Sequence, residues 1–223
     1  MKKYVYACAS IFFLLAISGP VRAQQPFEGT VTWSLHLPSI DDESHPSIVS
    51  FKGERSEMDM DMGVQGNIKT YLDDAKKKVY IVVAALGRGM TSDLSPKDTG
   101  KSNLKATGKT QTIAGHTAQE FVLTGPKQDV TIWASPGFPP DLCQTVYRNM
   151  RDQPNNDSGV ANAFREISSK GMLPIKIVVT QAGDTALTME FVKFERKSLP
   201  DSLFVPPANI NYQPIPAGMQ GGE

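Results

Sequence analysis

Residues 54–66 read ERSEMDMDMGVQG, and within them methionine and aspartate take turns: Met58, Asp59, Met60, Asp61, Met62. The side chains of a β-strand point alternately to its two faces. A strand here sends three thioethers one way and two carboxylates the other. Burying an unpaired carboxylate is costly, so the methionines take a dry face and Asp59 and Asp61 a wet one. Three readings of the dry face stay open. It can pack into a solid core, it can wall a cavity, or its thioethers can hold a soft ion such as Cu(I). Successive side chains on one face lie about 7 Å apart, so a single ion would need a bulge or another segment, and the carboxylates point away from it. A cavity wall suits methionine, which is flexible, polarizable and adaptable to varied apolar partners. Three of the eight methionines beyond Met1 fall on this one strand.

The same period of two runs through much of the chain. In FEGTVTWSLHL, Phe27, Gly29, Val31, Trp33, Leu35 and Leu37 share one side and His36 lies on the other. The stretch SIVSF, the turn KGER and SEMDMDM predict strand, turn and strand, and NIKTYL with KVYIVVAA predicts another hairpin. A flexible polar section is expected from Gly87 to about Asn103, and His45 falls in the polar loop PSIDDESHP. GKTQTIAG, TAQEFVLT and QDVTIWAS read as three further strands. IKIVVTQ, the turn AGD and TALTMEFVKFERKSL close the pattern, with Met189 alternating with Phe191 and Lys193.

Two helices interrupt the strands. PPDLCQTVYRNMRD opens on prolines, which a first helical turn accepts, and repeats apolar residues at Leu142, Val146 and Met150. SGVANAFREISSKG carries Val160, Ala163, Phe164 and Ile167, with Gly171 placed to end it. Each has one apolar face, and the surface that needs covering is the dry face of the sheet. Leu142, Val146, Phe164 and Ile167 are therefore expected to face it. The fold class expected is mainly β with a small α part: a curved antiparallel sheet, or half-barrel, of roughly nine or ten strands, with two helices on its concave side.

Residues 1–23 combine a basic start (Lys2, Lys3), a short apolar run and a VRA ending, the pattern of a secretory signal peptide cleaved after Ala23. Residues 24–212 then form a single β-rich domain, and 213–223 a flexible C-terminal tail. Loss of Lys2, Lys3 and Arg22 leaves 20 basic against 23 acidic side chains, a net charge of −3. That balance implies no nucleic-acid partner. No later stretch is apolar enough for a transmembrane segment. The mature chain keeps one cysteine, Cys143, so it makes no internal disulfide; a buried small hydrophobe is the reading for it.

The stretches FEGTVTW, FKGERSEMD, YLDDAKKKVYIV, TGKTQTIAGHTAQEFVL, DVTIWASPGF and TMEFVKFERKSLPDSLFVPPANI together resemble the bacterial domain-of-unknown-function family 4412. The resemblance runs in order from Phe27 to about Ile210, and IAGHTAQEF is its most characteristic motif. Many members of the family carry a cysteine where this chain has Ala118, which removes any thiol role at that position. The family is similar, in fold alone, to the half-barrel carriers and receptors that hold lipoprotein acyl chains in the bacterial periplasm. Fold does not bring function with it.

An enzyme has little to stand on. His36, His45 and His116 are read as surface histidines, since no motif for zinc, phosphate or a serine nucleophile accompanies them. The acidic Asp41–Glu43 loop lacks EF-hand spacing. No cofactor and no metal site is assigned. The expectation is a non-enzymatic protein of the periplasm or cell envelope, or secreted, that binds a lipid or another apolar small molecule in a half-barrel cavity. Its candidate ligand-binding residues are Met58, Met60, Met62, Trp33, Phe164, Met189 and Phe191. The alternatives are a structural or protein-interaction module with a filled core, and a metal-binding or stress-related envelope protein. Intact-mass measurement of the exported protein should give a chain that starts at Gln24; a mass that still includes Met1 would refute the cleavage.

Overall fold

The β-strand alternation places Val31, Trp33 and Leu35 of β1 (Gly29–His36) on one buried face, with half-buried Thr32, Ser34 and His36 on the other. The computed structural model describes residues 26–63, 66–94, 102–125, 128–151 and 158–215; the expected signal segment lies outside the described residues. From β1 an antiparallel meander continues through β2 (Ser44–Lys52), β3 (Arg55–Asp61), β4 (Asn67–Asp73), β5 (Lys78–Val83) and β6 (Arg88–Asp93). A second meander comprises β7 (Lys105–Ile113), β8 (His116–Thr124), β9 (Asp129–Ser135), β10 (Leu173–Gln181) and β11 (Asp184–Arg196). Between β9 and β10 the chain leaves the sheet to form α1 (Pro140–Arg151) and α2 (Ser158–Ser169). A short β12 (Tyr212–Pro214) pairs in parallel with β6. The meanders join where β1 pairs with β11, giving one curved, open sheet of twelve strands edged by β7 and β12.

Two of the hairpins turn on Ala-Gly pairs. Ala114 and Gly115 have φ of 48° and 80°, and Ala182 and Gly183 have 52° and 95°. Positive φ at both central residues gives a two-residue turn whose twist matches that of the flanking strands. At Gly29 the need for glycine is steric. Its φ is +150°, and a Cβ there would stand 2.0 Å from the Glu195 carbonyl oxygen on β11.

The helices lie on the concave face. Leu142, Val146, Phe164 and Ile167 are all buried there, together with Cys143, in one core with Val31, Phe121, Ile132 and Ile175. Three polar ties hold α1 to one rim of the sheet. Arg196 donates to Asp141 at 2.8 Å, Asn149 Nδ2 donates to Ser56 Oγ at 2.7 Å, and Arg148 donates to the Gly53 carbonyl. The Arg196 guanidinium holds the Asp141 carboxyl below its ordinary value.

Several expectations change. The sheet has twelve strands because β6 and β12 are not visible as alternating patterns. The section from Gly87 to Asn103, expected as flexible, contains β6, which hydrogen-bonds to β5 along its length. β12 packs on it: a side chain at Gly89 would meet Ile210 Cγ2 at 2.5 Å and the Tyr212 ring at 2.6 Å. Residue 213, where the tail was expected to start, lies within β12, Ile215 is buried, and 216–223 lie outside the described residues. His45 is not a loop residue. The ladder between His36 and Ser44 starts β2 early and buries the imidazole on the concave side. His116 is half-buried, stacked 4.5 Å from the Phe138 ring.

The face that carries Asp59 is not uniformly wet. Residues 197–215 pass across this convex side, where a 3-10 turn, Asp201–Phe204, buries Phe204 and Arg55 pairs with Asp201 at 2.6 Å. Glu57 on the same face of β3 is only 3 % exposed. Burial pushes its carboxyl up despite Lys69 at 3.2 Å. Burial alone would lower Lys69, but its hydrogen bond to Asp59 and the charges of Glu57 and Asp59 outweigh that and raise it.

Leu142 is fully buried at the helix–sheet contact. Leu142→Ala should cost about 2–5 kcal/mol of unfolding free energy in urea; a loss below about 1 kcal/mol would mean that α1 does not pack as described.

Candidate functional site

Between the two helices and the concave face lies a cavity of about 340 Å³. Its floor follows from the register. Met60 pairs with Ser47, Ser47 with Trp33, and Leu35 with Met189, so these side chains stand in adjacent rows on one face. Met58 and Val49 form the next row inward. β9, β10 and β11 contribute Val130, Ile177, Val179 and Leu187, and the helices close the space with Asn149, Met150, Val160 and Phe164. The polar lining is Ser47, Gln128 and Asn149; among the described residues no charged side chain is on the wall. Gln128 accepts from Gln181 at 3.3 Å, and Asn149 is tied to Ser56.

Of the residues singled out from the sequence, Met58, Met60, Trp33, Phe164 and Met189 are on this wall. Met58, Met60 and Met189 are half-buried because the cavity lies in front of them. Met62 and Phe191 are buried but off the wall. Met62 stands just beyond β3, where its amide bonds to the Gly66 carbonyl. Phe191 is enclosed by rings, with Trp33 at 5.8 Å, Phe138 at 5.4 Å and His116 at 6.2 Å. Lys193 does not continue the Met189–Phe191 row. A bulge between Thr32 and Trp33 pairs Val31 with Phe194 and Trp33 with Phe191, so the phenylalanines face in and Lys193 faces out.

Sequence reasoning missed Leu35, Val49, Ser47, Val179 and Leu187 as wall residues. The alternation from Trp33 could have found Leu35. No such signal was available for β2, where Ile48 and Val49 are adjacent and equally apolar. Only the register shows that Val49 points in and that Ile48, 42 % exposed, points out.

Cys143 is buried in α1, and burial pushes its thiol up to about 11, so it stays protonated at neutral pH. Among the described residues no group of three or more His, Cys, Asp or Glu side chains is arranged to hold a metal. One titratable pair lies beside the cavity. His45, paired across the strands with Leu35, holds Asp41 through Nε2 at 2.9 Å and 3.0 Å from the two carboxylate oxygens. That hydrogen bond raises the imidazole, with the charges of Asp41, Asp61 and Glu43 adding to it, and holds Asp41 down.

A curved open sheet that carries two helices on its concave face, with an apolar cavity beneath them, defines a half-barrel. The chain belongs to the family of the domain of unknown function DUF4412, whose model matches residues 27–210. None of the curated proteins compared matches it. Among solved structures, an uncharacterized conserved protein from Thermus thermophilus is 10% identical with a TM-score of 0.51, over 84% of this chain and 91% of the other. PNGF-II is 12% identical with a TM-score of 0.45, over 86% of this chain and 31% of that one, so the present chain spans about a third of its length. A LolA superfamily protein from Nitrosomonas europaea is 13% identical with a TM-score of 0.35, over 82% of this chain and 91% of the other. Among the described residues no helix is long and apolar enough to cross a membrane.

The His45 pair has a testable sign. An imidazole raised by folding adds stability that is fully present below its unfolded value, near pH 6.5, and is lost as pH rises through the folded value. NMR titration of His45 should give a midpoint above that of an unperturbed histidine, and Asp41→Asn should lower it; an unshifted midpoint in the wild type would contradict the pairing.

Proposed function

We propose that this is an exported, non-enzymatic envelope protein that binds a lipid or another apolar molecule in the cavity between its sheet and helices. The observation that carries the reading is the wall itself. It bounds about 340 Å³, within the range of small-molecule sites, and is built mainly of Trp33, Phe164, four methionines and branched aliphatics, with no charged side chain among the described residues. A packed core fills such space, because interiors are close to crystal density, whereas here the helices stop short of the floor. Methionine at Met58, Met60 and Met189 lets the wall fit chains of differing shape. Export to the envelope rests on the N-terminal pattern of charge, apolar run and small residues.

Native mass spectrometry of protein purified from its own envelope should show a retained apolar ligand. Val179→Trp, which places an indole in the space, should abolish retention while the melting temperature stays within a few degrees. Retention unchanged in that variant, or no ligand and no uptake of added lipid by the wild type, would refute the reading.

A further inference from the structure

Ser47 brings a hydroxyl to a mostly apolar wall. It is 1 % exposed, on the concave face of β2, with Trp33 and Met60 as its cross-strand neighbours and Val49 beside it. Every fully sealed side-chain polar atom among the described residues has a partner. Among the described residues the Ser47 hydroxyl has no hydrogen-bond partner, and Ser47 lines the cavity. A hydroxyl offers one donor and two lone pairs, and leaving them unused in a dry site is unfavourable. A water held there would need two to four polar partners. The cross-strand neighbours are apolar, Asn149 Nδ2 is committed to Ser56, Gln128 Oε1 accepts from Gln181, and the Nε2 of His45 is turned to Asp41.

Resting on the apolar-binding reading above, we infer that the ligand is an aliphatic chain bearing an uncharged oxygen, a hydroxyl or a carbonyl, which Ser47 receives inside the cavity. The uncharged wall excludes a buried carboxylate or ammonium at this point, since either would be left without a counter-charge. One hydroxyl in an uncharged, mostly apolar wall selects an oxygenated chain over a plain hydrocarbon, because an unmatched polar group penalises the wrong ligand more than a matched one favours the right ligand.

The test uses octane and 1-octanol as probes, read by the fluorescence of Trp33 in a Trp133→Phe background. Ser47→Ala should weaken octanol about fivefold, the loss of one net hydrogen bond, and leave octane unchanged. Ser47→Thr, which keeps the hydroxyl, should retain the preference. If Ser47→Ala does not fold, Ser47→Cys, a much weaker donor, serves for the same comparison. Equal effects on both probes, or none, overturn the role of Ser47 and leave apolar binding standing. Failure of both probes to bind the wild type overturns the apolar-binding reading and this inference together.

Discussion

The antiparallel ladder between β1 and β11 joins the two meanders into a single sheet. It runs from Gly29 opposite Arg196 to His36 opposite Thr188, and it is the only hydrogen-bonded seam between the two meanders among the described residues. The paired residues are more than 150 positions apart, so closing the seam carries a loop-closure cost that the local hairpins do not. Its close approach at Gly29 leaves no room for a Cβ. Its bulge at Thr32/Trp33 turns both Phe191 and Phe194 inward, where the aromatic cluster of Phe27, Phe138 and Trp33 receives them.

From that seam follow the curvature and the cavity. Twelve strands with the usual right-handed twist curl rather than lie flat, and the curl creates a concave face that two helices of twelve residues each cannot cover completely. The ties Asp141–Arg196, Asn149–Ser56 and Arg148–Gly53 hold α1 at one rim. The space toward the other rim is what remains. The convex side is closed differently, by the segment that follows β11. Its ion pairs at the surface add little individually, and the apolar contacts of Leu199, Phe204 and Ile215, all buried, provide most of its attachment.

Polarity is sorted to match. The convex face accepts a buried carboxylate, Glu57, with Lys69 beside it, and among the described residues the cavity wall carries no charged side chain. The period-two geometry of β3 allows both at once, because Glu57 and Met58 are neighbours in the chain and on opposite sides of the sheet.

The strand alternation, the two amphipathic helices and the inward direction of Met58 and Met60 are legible in the local sequence, because each depends on the local period of apolar residues and on nothing farther away. The faces of Trp33, Phe164 and Met189 are equally legible there. Long-range pairing sets the rest. Phe194 replaces Lys193 in the inner row because a bulge shifts the register, which no residue in TMEFVKF announces. Ser47 reaches the wall because pairing with β1 chose the parity of β2 where adjacent Ile48 and Val49 left it undecided. β6 and β12 exist through the strands beside them, and their own sequences carry no alternating apolar pattern. The cavity is a difference between the area that the curved sheet offers and the area that the helices cover, a quantity set by long-range pairing and invisible to any local pattern.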